Sequence, residues 1–264
     1  MPLSEWKNVS LPIIGMLHLA PLPGAPRSEL SLLAIRDLAL RDTESLMAGG
    51  VHGLMIENFG DTPFEPGSVP PATIAQMTWL LAEIKRIATI PCGVNVLRND
   101  GLAAIAVAAA AGGQFIRVNV LTGARVTDQG IIQGRAHELL RERKRLAVES
   151  IQIWADVDVK HSASLAARPI ADEVGDLVHR AHANAVIVTG RSTGAVTSTD
   201  DLQQVSSAAD GRPVIVGSGV TFANITGLRG LAAAAIVGSS LKVDGKATNA
   251  VDVNRVKELM QALA

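Results

Sequence analysis

Two groups of residues in this chain have types and spacings suited to chemistry. The first is a set of polar side chains at or near the ends of apolar runs: His18, Glu57, Asn95, Arg117, Asn119, Asp156 and Thr189, with Lys160 just beyond. Carboxylates such as Glu57 and Asp156 suit proton removal and return, Arg117 or Lys160 suits a developing oxyanion, and Asn95 and Asn119 suit hydroxyl groups. His18 precedes a Pro-rich loop and is either a further acid or base, or a hydrogen-bond partner of the backbone. The second group is a pair of small-residue turns in consecutive units, IVGSGVT and IVGSSLK. Gly217, Ser218 and Gly219 in one, and Gly238, Ser239 and Ser240 in the other, offer backbone N–H groups, and glycine has no Cβ to keep an anion away. Thr189 and Gly190 begin a third loop, TGRSTG, in which Arg191 is a candidate anion contact. A small phosphorylated ligand, anchored at the glycine turns and worked on by the carboxylates, is the expected partner. The plainer alternatives are a buried ion network of Glu57, Arg117 and Asp156 that only fills space, and Gly and Ser residues that only shape turns and caps.

These residues meet only if the chain gathers the ends of its apolar runs. Eight such runs occur, at 12–17, 53–57, 92–97, 115–120, 151–157, 185–189, 213–217 and 234–238. Between them lie segments such as TIAQMTWLLAEIKRIA, whose apolar residues recur at three and four. Strand then helix, eight times over, predicts one α/β domain over 1–264, a single (β/α)8 TIM barrel with its chemistry at the C-terminal ends of the strands. An open doubly wound sheet is the competing arrangement, and the count of eight favours closure. GMLHLAPLPG stands where a G-x-G-x-x-G turn would follow the first strand, so no dinucleotide cofactor is expected.

Alternation along each run assigns its faces. Ile116, Val118 and Val120 suit the helix side, which leaves Phe115, Arg117 and Asn119 toward the lumen. Ile151, Ile153, Ala155 and Val157 leave Gln152, Trp154, Asp156 and Asp158 inward. By the same parity Asn95 and Glu57 point inward, and His18 shares the face of Ile14 and Met16.

The segment TGARVTDQGIIQ after the fourth run reads as a polar loop long enough to cover the mouth, with Arg125, Asp128 and Gln129 as ligand contacts. In FGDTPFEPGSVPP, Phe59 and Phe64 can dock on the barrel or on another subunit, which leaves a homo-oligomer open. No sequence feature depresses the Lys160 amine, so an ionic role is favoured over a Schiff base. ADVDVKHS groups Asp156, Asp158, Lys160 and His161, yet the chain has neither HExxH nor a Cys/His cluster, and no metal is expected.

Composition narrows the partners. With 19% charged residues and a formal net charge of -1, the chain gives no electrostatic reason to expect nucleic acid or an anionic membrane. No apolar stretch reaches the roughly 18 to 20 residues of a spanning helix, and the first residues lack a signal-peptide pattern, so the protein is expected in the cytoplasm. The Ala-rich stretch from Leu102 to Ala111 suits a tightly packed buried helix. The single cysteine, Cys92, begins a strand at the end away from barrel chemistry and is read as packing.

At these residues the chain resembles the BtpA family, named for a member implicated in photosystem I biogenesis. The segments that carry the resemblance are GMLHLAPLPG, GLMIENFGD, GVNVLRND, RVNVLTGARVTDQGIIQGRAHELLR, ADVDVKH, IVTGRSTG, VGSGVT and IVGSSLKVDG, which span nearly the whole chain. Trp154, Asp158 and Arg191 depart from the family pattern. The resemblance implies a ribulose-phosphate-binding type of TIM barrel, with phosphate at 217–219 and 238–240. Names within the family point variously to photosystem assembly, to nucleotide hydrolysis and to phosphoribosylanthranilate-isomerase-like proteins. The expected activity is therefore sugar-phosphate or phosphoribosyl isomerase, aldolase or lyase chemistry. A noncatalytic assembly factor is the alternative, and nucleotide hydrolysis, for which the chain lacks a P-loop, ranks last.

Overall fold

The computed structural model describes residues 1–166, 168–190 and 198–263. Its strands, in chain order, are β1 (Ile13–His18), β2 (Gly53–Glu57), β3 (Cys92–Asn95), β4 (Phe115–Val118), β5 (Ala124–Thr127), β6 (Gly130–Gln133), β7 (Gln152–Val157), β8 (Ser162–Ser164), β9 (Ala185–Val188), β10 (Val214–Val216) and β11 (Ala234–Val237). Eight of them close a parallel barrel in the order β1-β11-β10-β9-β7-β4-β3-β2, and β6-β5-β8 form a separate small sheet. The helices are α1 (Leu32–Gly49), α2 (Pro71–Ile87), α3 (Gly101–Ala111), α4 (Ala136–Arg145), α5 (Ile170–Gly175), α6 (Thr199–Ala208) and α7 (Val253–Gln261). This is the expected (β/α)8 barrel with one departure. Between β10 and β11 the helix is reduced to a 3-10 turn, Ile225–Leu228, because fewer than twenty residues separate those strands.

Alternation puts the two faces where expected. Ile116, Val118, Ile153 and Ala155 join the large core under the helices, while Ile14, Met16, Met55, Phe115, Trp154, Ile187, Ile215 and Ile236 fill the lumen. Phe115 and Trp154 stack at 3.8 Å, and Trp6 from the N-terminal segment closes the floor at 6.4 Å from Phe115. Such stacked and edge contacts contribute about 0.5 to 1.5 kcal/mol each beyond the area they bury. Room for them comes from glycine on the neighbouring strand: a Cβ on Gly93 would lie 2.0 Å from the Phe115 ring. The lower lumen is therefore solid, and only the upper rim is left for polar side chains.

Register sets that rim. His18 pairs with Glu57, Glu57 with Asn95, and Asn95 with Arg117, so four neighbouring strands carry their polar ends at one height. Two corrections lie just beyond it. Val120 packs with Ile132 and Val159 beneath the small sheet, and Asp158, with φ 48°, leaves the strand and turns to solvent. Cys92 is buried at the base of β3, and burial pushes its thiol up to about 11. The alanine-rich α3 packs closely against α2; its N-cap Asp100 accepts from Ala103 N and, at 2.9 Å, from Val69 N, which pins the loop after β2.

The segment after β4, read as a loop, is instead a hairpin. Val126 pairs with Ile131 across the Asp128-Gln129 turn, and β8 adds to the other edge of β5. Arg125 is buried and ion-paired to Asp158 and Glu173. It ties the small sheet to the chain leaving β7. Among the described residues no helix is long and apolar enough to cross a membrane.

Candidate functional site

A cavity of about 450 Å³ opens at the C-terminal ends of the strands. On the sides formed by β1, β2, β4 and the segment after β7 it is lined by His18, Glu57, Arg117, Asn119 and Lys160. On the side of β10 and β11 it is lined by Gly217, Ser218, Gly219, Gly238, Ser239 and Ser240. Four expected residues are not on its wall. Asp156 and Asn95 are buried behind other side chains, and Thr189 and Gly190 border a neighbouring cleft that shares Lys160. Arg191 lies outside the described residues.

Asp156 is enclosed by its own partners. Arg117 donates from Nε at 3.1 Å and from Nη2 at 2.9 Å, and Asn119 Nδ2 donates at 2.5 Å. Both carboxylate oxygens are engaged and the side chain has no exposed surface. Burial works against the Arg117 charge, but Asp156 and Glu57 outweigh it and hold that guanidinium above its ordinary value. Asn95 donates to Arg117 O at 3.1 Å, while its Oδ1 has no donor among the described residues. The network fixes how Arg117 and Asn119 meet the cavity.

Glu57 has no such clamp. Burial raises its pKa above the ordinary 4.5, against the opposing pull of Arg117, Lys160 and Arg98. His18 Nε2 stands 3.8 Å from Glu57 Oε1. Burial first, then Lys242, depress the imidazole to about 3, so it is neutral at physiological pH. Its Nδ1 lies 3.2 Å from Ala247 O, an acceptor only, which assigns the proton to Nδ1 and leaves Nε2 a bare acceptor facing Glu57. Phe59 stacks on the ring at 4.6 Å. Phe59 and Phe64 thus form part of the cavity wall, packed on the barrel mouth, one of the two placements expected for them.

At the opposite wall the two glycine turns are joined directly, Ser240 Oγ donating to Val220 O at 2.7 Å. Gly219 adopts φ 73°, a conformation open to glycine. Among the described residues the amides of Gly219, Gly238, Ser239 and Ser240 have no acceptor. Gly217 differs from the expectation. Its N–H is spent on Val188 O at 2.8 Å, and it is glycine because a Cβ would lie 2.5 Å from Ile187 Cγ2. Gly238 likewise makes room for His18, whose Cε1 would be 2.9 Å from a Cβ there. No α-helix starts at either turn: each leads into a 3-10 turn too short to act as a helix dipole.

Three cavity residues escaped the sequence reading in whole or part. Arg98, only 6% exposed, sits just after β3, and its Nη2 donates to Lys160 O at 2.8 Å. Arg255 in the first turn of α7 reaches back to donate to Ser240 O at 2.9 Å. The Lys160 amine is lowered, by burial first and then by Arg117, contrary to the expectation that nothing depresses it. Thr189 Oγ1 accepts from Lys160 N at 3.3 Å and so holds this segment rather than a ligand in the cavity. Among the described residues no group of three or more His, Cys, Asp or Glu is placed to hold a metal ion.

Comparison with known proteins agrees with this architecture. The chain is 42% identical over 264 residues to the photosystem I biogenesis protein BtpA of Synechocystis sp., covering all of this chain and 92% of that one. It is 42% identical over 250 residues to an uncharacterized protein of Thermococcus kodakarensis, covering 95% and 94%. Among solved structures, phosphoribosyl anthranilate isomerase from Thermus thermophilus matches with a TM-score of 0.58 at 10% identity, covering 96% and 98% of the two chains. KGPDC from Streptococcus mutans matches with a TM-score of 0.59 at 11% identity, covering 96% and 97%. At such identities the structural likeness establishes the barrel alone. The sequence relatives go further, and with the BtpA family model matching residues 9–264, this chain belongs to the BtpA family.

Proposed function

We propose that this protein is an enzyme of the cytoplasm that binds a small phosphorylated sugar or phosphoribosyl compound in the barrel mouth and moves a proton on its carbon frame, as an isomerase, aldolase or lyase does. The observation that carries this reading is a single cavity with two chemically different walls. One wall offers amides of Gly219, Gly238, Ser239 and Ser240 that have no acceptor among the described residues, with Arg255 beside them, a set of donors suited to a phosphate. The other offers Glu57 and neutral His18 backed by Arg117 and Asn119. Phosphoribosyl anthranilate isomerase, a protein with the same fold, is consistent with such a ligand.

In this reading Glu57 is the acid–base group. Its carboxylate removes a proton from a carbon next to a carbonyl, the electron pair moves onto the carbonyl oxygen, and the remaining N–H groups of Arg117 meet the charge that forms. His18 accepts through Nε2 and orients either the Glu57 proton or a substrate hydroxyl. Asp156, expected as the second acid or base, serves by holding Arg117 in place, since both of its oxygens are already engaged. A thermal-shift screen with sugar phosphates tests the reading: at a ligand concentration of about 100 Kd, stabilisation of about 2.7 kcal/mol is expected. No shift from any phosphorylated compound at millimolar concentrations, with free sugars equally silent, would contradict it.

A second reading, a noncatalytic assembly role like the one in the name of the Synechocystis relative, draws on one observation. The outer face of the small sheet leaves Val126 42% and Ile131 57% exposed as a cross-strand pair. A partner held there would be lost on replacing those two residues and kept when the cavity is altered.

A further inference from the structure

The cavity holds more positive charge than the protein itself neutralises. Arg117 is balanced by Asp156. Arg98 and Lys160 have no comparable partner: among the described residues neither forms an ion pair with a carboxylate, and the Lys160 ammonium has no hydrogen-bond acceptor. Arg98 is buried, with only 6% of its surface exposed, Lys160 is half-buried, and both line the cavity. They are also built together, since Arg98 Nη2 holds the carbonyl of Lys160. Buried cations are costly unless an anion meets them. Among the described residues Glu57 is the one carboxylate that lines the cavity, and when ionised it balances one of the two and leaves one charge uncovered.

Barrel order gives the direction. Around the ring the sequence is β1-β11-β10-β9-β7-β4-β3-β2, so β3, which leads into Arg98, stands opposite β10, and β7, which leads into Lys160, stands two strands from β10 on the way round. A ligand anchored at the glycine turns and spanning the cavity would meet these two cations with Glu57 on its flank. One uncovered charge matches a carboxylate better than a second phosphate dianion, and a guanidinium beside an ammonium suits a carboxylate's two oxygens.

We infer that Arg98 and Lys160 form a carboxylate subsite, and that the ligand of this protein is a phosphorylated acid with its carboxylate held opposite its phosphate. This rests on the phosphate reading given above and adds the second end of the ligand.

Calorimetric titration with matched probes tests it. The pairs are 3-phosphoglycerate against glycerol 3-phosphate and 6-phosphogluconate against glucitol 6-phosphate, which differ only in carboxylate versus alcohol, with gluconate as a carboxylate lacking phosphate. A charged hydrogen-bonded contact predicts that the acid in at least one pair binds about ten- to a hundredfold tighter than its alcohol. Arg98→Met and Lys160→Met should each bring that ratio toward one, and Arg98→Lys should keep part of it. If Arg98→Met fails to fold, Arg98→Lys and Lys160→Met carry the comparison. Equal affinities within both pairs, or a preference untouched by both Met substitutions, would overturn the subsite while leaving the phosphate site standing. Binding of gluconate that depends on Arg98, with both phosphorylated alcohols silent, would support the subsite and remove the phosphate reading. Silence of every carboxylate-bearing probe would overturn it.

Discussion

Replacing Asp156 by alanine is expected to lower the unfolding free energy by about 3 to 5 kcal/mol, because it leaves the buried guanidinium of Arg117 without its counter-ion. Three hydrogen bonds converge on this carboxylate, two from Arg117 and one from Asn119, and all are lost together. Asp156→Asn keeps the shape and some of the bonds but removes the charge, and should cost less. Adding Arg117→Leu to Asp156→Ala removes the orphaned charge, so the double variant should recover much of the loss, a non-additive result that denaturant titration of the four proteins of the cycle would show. If Asp156 were instead a free acid or base, Asp156→Ala would leave stability nearly unchanged. The experiment therefore separates a supporting carboxylate from a reacting one.

Glu57→Gln is expected to reduce turnover of the substrate found by ligand screening by about 10²- to 10⁴-fold, the usual contribution of a positioned acid–base group. Its pH dependence follows from the direction of its shift. Burial raises the Glu57 pKa, so the proton-accepting carboxylate forms only as pH rises through a value above 4.5. In the wild-type protein kcat/KM should climb across that range and then level, and in Glu57→Gln this limb should vanish. His18, depressed to about 3, adds no limb near neutrality. Full activity in Glu57→Gln, or an unaltered acid limb, would assign the proton transfer elsewhere.

The barrel was legible because its strands alternate cleanly. Once Ile116 and Val118 face the helices, Arg117 has to face the lumen, and the same parity delivers Glu57, Asn95 and His18 to one height. Parity says which way a side chain points but not what it meets. Asp156 and Asn95 are inward, yet neither lines the cavity, because Arg117 and Asn119 hydrogen-bond to them and enclose them. The glycines show a similar limit: Gly217 reads as an amide donor, but its N–H completes the barrel ladder and its missing Cβ serves Ile187. Arg98 and Arg255 carry no strand parity at all. Arg98 reaches the mouth by a turn after β3, and Arg255 from a helix that follows the last strand, contacts that depend on tertiary closure. The hairpin of β5 and β6 was missed because its polar, Gly-punctuated composition resembles a loop, and its apolar Val126–Ile131 pair is exposed rather than buried.

The most direct measurement is an amide-resolved NMR titration of the protein with inorganic phosphate. Saturable shifts should appear at the N–H groups of Gly219, Gly238, Ser239 and Ser240, with α3 on the far side of the barrel wall unaffected. Those four signals remaining still while phosphate moves scattered surface amides, or none, would contradict an anion site at the β10 and β11 turns.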